Sequence, residues 1–211
     1  MNTMMTTMIK TGLSCSLGFA LLFNAGAAHA QAEIGKPAPA ISATDVNGKP
    51  VSLSDFKGKY VVIEWTNPGC PFVQKHYDGG NMPETQKQAI ADGAVWISVQ
   101  TRATAGDDAG AGAELKAWQN EKKAAPSTSL IDASGAIGKA YGARTTPHLY
   151  IVDPQGTLIY AGAIDSNPSA DAADIPGATN YVKQTLGEAI AGKPVSRPAT
   201  QPYGCSVKYP G

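Results

Sequence analysis

The run Tyr60-Val-Val-Ile-Glu-Trp-Thr-Asn-Pro-Gly-Cys70-Pro-Phe constrains this chain more than any other stretch. Val61, Val62, Ile63 and Trp65 form a β-branched, apolar segment, the pattern of a strand covered on both faces. Pro68-Gly69 turns the chain, and Pro71 suits a first helical position, where its missing N–H is unpaired in any case. Cys70 is thereby delivered to the positive end of a helix. That setting favours thiolate over thiol, and thiolate is the nucleophilic form. The alternative is a buried structural cysteine, since free Cys is among the most buried residue types.

The N-terminus reads as a secretory signal peptide over residues 1–30: one cation at Lys10, the apolar Leu13 to Ala27, and an A-x-A cleavage pattern at Ala28-His29-Ala30. The apolar run of about 15 residues is short of the roughly 20 needed to span a bilayer. Cys15 lies inside that run rather than after it, which argues against lipid attachment. Cleavage leaves Cys70 and Cys205, and a periplasmic or secreted location allows such a pair to be a disulfide. The 17 Lys and Arg less Lys10 leave 16 bases against 17 acids, a net of minus one. Nothing in that balance points to nucleic acid or a charged membrane surface. No second apolar run is long enough to span a membrane. About 180 mature residues suit one domain with a sizeable core, placed over residues 31–195, with 196–211 as a C-terminal tail.

Along the chain, Ile41 to Asp45 and Val51 to Leu53 flank Asn47-Gly48, a strong hairpin signal. Ser54 to Gly58 reads as a brief helical turn. Pro71 to Ala91 is mostly helical but interrupted at Asp78-Gly79-Gly80-Asn81, which predicts a split helix. Val95 to Thr101 is a strand, Ala103 to Gly112 a loop, and Leu115 with Trp118 marks a helix ending near Ala125-Pro126. Thr128 to Ile131 is a short strand and Ser134 to Tyr141 a short helix stopped by Gly142. Leu149 to Val152 and Thr157 to Ala161 form a hairpin. Strand, helix, strand, then hairpin is a mixed sheet with helices on both faces. Asp165 to Ala178 is read as a loop. Asn180 caps a last helix with Val182, Leu186, Ala189 and Ile190 on one stripe. The tail carries Pro198, Pro202 and Pro210, so it must run extended over the surface. Cys205, with aromatic neighbours on both sides, suggests that the tail docks.

The order of these elements, Glu64-Trp-Thr-Asn-Pro-Gly-Cys70-Pro-Phe, Gly142-Ala-Arg-Thr-Thr-Pro147 before Leu149-Tyr-Ile-Val-Asp153, and Gly204-Cys-Ser-Val-Lys-Tyr209 together resemble the thioredoxin superfamily. The chain is most similar to its secreted peroxiredoxin-like members, the redoxins of the alkyl hydroperoxide reductase and thiol-specific antioxidant type. The resemblance implies an α/β thioredoxin-like fold: a mixed central sheet flanked by helices, with an N-terminal β-hairpin and an extended C-terminal tail. It implies that Pro147 is cis and faces Cys70, that Thr146 offers backbone groups to an extended substrate, and that Trp65 walls the site.

The motifs also depart from the family patterns. Thioredoxins carry Cys-x-x-Cys, and three residues before Cys70 stands Asn67, so no local disulfide can form. Peroxidatic members carry Pro-x-x-x-Thr-x-x-Cys, where this chain has Ile63 and Asn67; their catalytic arginine aligns with Pro147. Asn67 as a hydrogen-bond donor to peroxide and Arg144 as a source of positive charge are the available substitutes.

By this resemblance the chain is a thiol oxidoreductase in which Cys70 attacks either a peroxide oxygen or a disulfide sulfur. Cys205 is then the second thiol that resolves the intermediate, and an external thiol serves as reductant. A purely structural Cys70–Cys205 clamp in a non-enzymatic binding protein is the competing reading. Copper-handling relatives use Cys-x-x-x-Cys plus a distant His, a spacing absent here, and clustered zinc ligands are absent too; no metal or cofactor is expected. Lys75 and His76, at i+5 and i+6 from Cys70, lie off its helical face, and His76 reads as a solvated helix histidine. His148 reads as a hydrogen-bonded core histidine. Glu64 is either a proton-transfer partner of the thiol or a partly solvated strand-end acid.

Overall fold

Asn47-Gly48 turns a hairpin as its sequence predicts. In this computed structural model, which describes Met1 and residues 31–103 and 108–210, β1 (Ser42–Thr44) pairs antiparallel with β2 (Pro50–Ser52). Asp45 ties the turn, its Oδ1 accepting from the N–H groups of Asn47 and Lys49 at 2.8 Å each. A 3-10 turn at Leu53–Phe56 follows, where Ser52 and Asp55 cap each other's backbone reciprocally. Apart from Met1, the segment read as a signal peptide lies outside the described residues.

The remaining elements are β3 (Val61–Trp65), α1 (Pro71–Asp78), α2 (Asn81–Ala91), β4 (Val95–Thr101), α3 (Asp108–Glu121), β5 (Thr128–Asp132) and α4 (Ala136–Tyr141). They continue with β6 (Thr145–Thr146), β7 (His148–Val152), β8 (Leu158–Gly162), α5 (Tyr181–Ile190) and β9 (Cys205–Ser206). The predicted helix split falls at Gly79-Gly80, with Gly80 at φ 75° opening α2.

The central sheet has the order β5-β4-β3-β7-β8. β3 runs parallel to β4, and β4 to β5, while β7 and β8 are antiparallel additions on the other side of β3. This is the thioredoxin-like α/β fold, a mixed sheet between layers. Alternation along β3 divides the core. Val61, Ile63 and Trp65 pack with Ile41 and Val51 from the hairpin region and Tyr141 from α4. Val62 packs on the opposite side with Val73 and Tyr77 of α1, Met82 of α2 and Val182 and Leu186 of α5. Cys70 belongs to this second cluster, beneath the two N-terminal helices. Among the described residues, no helix is long and apolar enough to cross a membrane.

Three expectations are corrected. Residues 108–112, read as part of a loop, are the first turns of α3. Gly112 makes this possible by packing its bare Cα against Val46, where a Cβ would lie 3.3 Å from Val46 Cγ1. Residues 104–107 of that expected loop lie outside the described residues. The loop 165–178 contains a 3-10 turn at Ala172–Gly177, capped by Asp171. In α5, Val182 and Leu186 are buried as predicted but Ile190, the last residue of the helix, is 46 % exposed.

Candidate active site

Cys70 ends the turn that follows β3 and is the N-cap of α1, with Pro71 at the first helical position. The loop before it is shaped by Asn67. Its Oδ1 accepts from Gly69 N–H, and its carbonyl accepts from Cys70 N–H, at 3.0 Å each. Asn67 thus builds the turn that presents the cysteine, and its side-chain oxygen is engaged there. Cys70 thereby stands at the positive end of α1, a position that favours thiolate over thiol.

Above the sulfur lies the loop between β6 and β7. The Thr146–Pro147 bond is cis, and Cys70 Sγ sits 3.1 Å from the Thr146 carbonyl oxygen. Both residues are buried. Cys70 is joined by a disulfide to Cys205, across a sequence separation of 135 residues and with Cα atoms 5.9 Å apart. The tail reaches this position as a strand: β9 pairs antiparallel with β6, setting Cys205 opposite Thr146 and Ser206 opposite Thr145. Val207 N–H continues the ladder to the Arg144 carbonyl at 2.9 Å. The backbone edge that an extended substrate was expected to use is therefore taken by the chain's own tail. Cys70 is 1 % exposed beneath it, whereas Cys205 is partly exposed.

Gly204 lets the tail come this close. It adopts φ 129°, and a Cβ there would overlap the Thr146 carbonyl. Gly204→Ala is expected to lift β9 from β6 and to lower the unfolding free energy of the oxidised protein by about 2 kcal/mol. Denaturant titration reads this directly, and an unchanged midpoint would contradict the close approach.

Around this centre the structure rearranges several expectations. Trp65, expected to wall the site, is fully buried on the other face of the sheet. It packs on Tyr141 and Tyr150 and donates from Nε1 to Thr101 Oγ1 at 3.1 Å. The odd residues of β3 face away from Cys70, so Trp65 supports the strand and offers no surface to a substrate. Arg144 is exposed, and it is the backbone that engages the tail. His148 is a core histidine: Nδ1 meets Tyr150 Oη at 3.0 Å, and burial, with the Arg144 charge nearby, lowers its pKa to about 3.

Glu64 is buried rather than solvated at a strand end. It accepts from Tyr77 Oη at 2.8 Å, Trp96 Nε1 at 2.9 Å and Gln86 Nε2 at 3.1 Å. Desolvation raises its pKa, and the three donors only partly compensate because none carries a charge. His76, read as solvated, is also fully buried. It faces the tail, with Nε2 3.0 Å from Tyr203 Oη, and burial lowers its pKa to about 4. Sequence spacing placed it off the face of Cys70; the tail, folding back from far along the chain, covers that other face. Lys75 is buried beside it, donating to the Asn167 carbonyl at 3.1 Å with its ammonium 4.0 Å from Asp165 Oδ2. Asp165 and Tyr203 were not singled out from the sequence. The aromatic residue two before Cys205 was the available signal.

Comparison with known proteins agrees with this architecture. The model of the AhpC/TSA family matches residues 34–161. The thiol-disulfide oxidoreductase ResA of Bacillus cereus (strain ATCC 10987 / NRS 248) is 29 % identical over 147 residues, covering 70 % of this chain and 79 % of that protein. Among solved structures, an uncharacterized conserved protein from Geobacillus kaustophilus superposes with a TM-score of 0.66 at 25 % identity, covering 84 % of this chain and 92 % of that one. A hypothetical protein from Sinorhizobium meliloti 1021 gives 0.63 at 22 %, covering 84 % and 94 %.

Proposed function

The chain belongs to the AhpC/TSA family, and on that premise we propose that it is an extracytoplasmic thiol–disulfide oxidoreductase with Cys70 as nucleophile and Cys205 as resolving thiol. The observation that carries this reading is the junction of Cys70, at the N-cap of α1 beside the cis Thr146–Pro147 bond, with Cys205 on a separately docked strand. A structural clamp requires only that two cysteines meet. Here one of them sits where thiolate is favoured, beside a backbone edge of β6 that the tail carrying the other fills in the oxidised form.

In the reduced protein, the Cys70 thiolate attacks a partner's disulfide, forming a Cys70–partner mixed disulfide and expelling the partner's other sulfur as thiolate. Cys205 then attacks the Cys70 sulfur. The Cys70–Cys205 bond forms, the second partner sulfur leaves, and two electrons have passed to the partner. An external dithiol reverses the sequence. Thr146 and Pro147 frame the sulfur, Asn67 holds its turn, and Glu64 bonds Tyr77 and Trp96 of the cluster that holds Cys70, as a carboxyl that burial biases toward its protonated form. The N-terminal signal pattern and the disulfide itself suit an oxidising compartment.

The family match supports a second substrate class, peroxides. Attack on a peroxide would convert Cys70 to a sulfenic acid and release an alcohol or water. Cys205 would condense with the sulfenic acid and release water. Against it stand Ile63 and Asn67 in the peroxidatic motif positions, and Asn67 Oδ1 is already bound to Gly69 N–H. The test is intact mass with free-thiol counting on the reduced protein. Oxidised glutathione is expected to remove both thiols and yield the Cys70–Cys205 link, whereas hydrogen peroxide is expected to act no faster than on an ordinary thiol. Rapid loss to peroxide with inertness to disulfides would reverse the assignment.

A further inference from the structure

Beneath the tail lies a chain of hydrogen bonds whose direction is set from one end. At the N-cap of α5, Asn180 Oδ1 accepts from Lys183 N–H at 3.0 Å, so the Asn180 amide nitrogen must face the other way. It donates to Asn81 Oδ1 at 3.1 Å, which turns the Asn81 amide nitrogen toward His76 Nδ1 at 2.8 Å. An amide nitrogen only donates, so His76 Nδ1 is the acceptor and the ring proton is on Nε2. That proton points at Tyr203 Oη, 3.0 Å away, and the Tyr203 hydroxyl in turn donates to Asp165 Oδ1. The tyrosine ring lies against Phe72, with centroids 5.9 Å apart, and the Lys75 ammonium is 5.9 Å from its centroid.

Asn81, His76 and Asp165 are buried and Asn180 is half-buried at its helix cap, whereas the tyrosine belongs to the tail. Tyr203 is two residues before Cys205, with only Gly204 between them. We propose that Tyr203, clasped by His76 and Asp165, is the positioning residue of the resolving step. Once a partner has displaced the tail and formed a mixed disulfide on Cys70, this clasp returns the tail to its dock and Cys205 to Cys70, so that the mixed disulfide collapses internally instead of accumulating. The proposal rests on the exchange reading above and identifies what makes its second step fast. The reaction it governs is the displacement of a thiol from Cys70. The Cys205 thiolate attacks the Cys70 sulfur, the bond to the foreign sulfur breaks, and that sulfur leaves as thiolate and takes up the proton lost by Cys205. Covalent attachment alone does not do this, because the link is open when the step occurs.

The test measures the effective concentration of Cys205 toward Cys70 in the full reduced chain. The protein is equilibrated with reduced and oxidised glutathione, acid-quenched, and its internal-disulfide and Cys70–glutathione forms are counted by intact mass. Wild type is expected to show the internal disulfide with little adduct. Tyr203→Phe keeps the ring and removes both hydroxyl bonds; one of these is to a carboxylate, so the effective concentration is expected to fall about 10- to 100-fold. Asp165→Asn, which attacks the clasp from the interior side, is expected to move it in the same direction and decides the matter if Tyr203→Phe does not fold. In a Cys205→Ser background, Tyr203→Phe is expected to leave the Cys70–glutathione equilibrium unchanged; a general loosening of the fold would shift both. A folded Tyr203→Phe protein with wild-type effective concentration overturns the proposal while leaving the exchange reading intact. A wild-type protein that never exchanges with glutathione removes both.

Discussion

Cys70→Ser is expected to reduce disulfide exchange to the level of buffer, and Cys205→Ser to allow a single exchange that stops at a Cys70 mixed disulfide. The asymmetry follows from position. Cys70 is the N-cap of α1, where the helix's positive end stabilises the attacking thiolate and, in the reverse reaction, the departing one. Cys205 has no such setting; it lies on β9, held by backbone pairing to β6. Losing the nucleophile removes the covalent path altogether, a loss of several orders of magnitude. Losing the resolving thiol leaves the first bond-forming step intact. Mass spectrometry of acid-quenched reactions with oxidised glutathione separates the two outcomes. Full exchange by Cys70→Ser would refute the assignment of the nucleophile. Equal failure of both variants, matched by an equal loss of stability, would make the disulfide a clamp. The stability effect of the link is itself large: closing a loop across 135 residues is worth about 5 kcal/mol in the chain-entropy treatment. Unfolding must therefore be compared among proteins in the same redox state.

The two buried histidines, His76 and His148, are expected to contribute about 5 kcal/mol of destabilisation between pH 7 and pH 4.5. His76 and His148 are both held neutral by burial, with pKa values lowered from 6.5 to about 4 and about 3. A lowered folded value means that the unfolded chain takes up the proton first. The stabilisation is complete above pH 6.5 and is lost as the pH falls toward the folded values, at about 1.4 kcal/mol per unit and per histidine. The cause is visible in the contacts. Protonating His76 would add a hydrogen at Nδ1, opposite the Asn81 amide donor; the Asp165 carboxylate at 3.9 Å offsets only part of the burial cost. Glu64 acts with the opposite sign. Its raised pKa contributes stability at low pH that is lost as pH rises, so it opposes the histidines over the same range. Urea titrations of the oxidised protein at stepwise pH give the slope, and His148→Gln is expected to remove close to one proton from it. A slope that His148→Gln leaves unchanged would show that His148 is not buried neutral. Because domains are typically stable by about 5–15 kcal/mol, the reduced protein, lacking its cross-link, is expected to be marginal at that pH.

Much of the fold is written locally. The apolar run at Val61 to Trp65, the turn at Pro68-Gly69 and the proline after Cys70 determine a buried strand feeding a helix with the cysteine at its start, and that is what forms. Asn47-Gly48, Gly79-Gly80, Gly142 and the Asn180 cap each act through bonds to near neighbours, so their effect is legible in a few residues. The opening of α3 was missed because what stabilises residues 108–112 includes a distant partner, Val46 packing against Gly112.

The site divides along the same line. The sequence by itself determined a cysteine at the start of a helix, the residues of the β6–β7 loop and the existence of a second cysteine that docks. Only the tertiary structure decided that Cys205 reaches Cys70, that β9 occupies the edge of β6, that Trp65 faces away, and that Glu64, Lys75 and His76 lose their water. The physical reason is that burial of a polar side chain depends on what covers it. Here the cover is a proline-containing tail from far downstream of the helix it lies on, held by Tyr203 over His76 and by the pairing of β9 with β6. Local patterns carry the period of a strand or helix but not the identity of the segment that will pack against it.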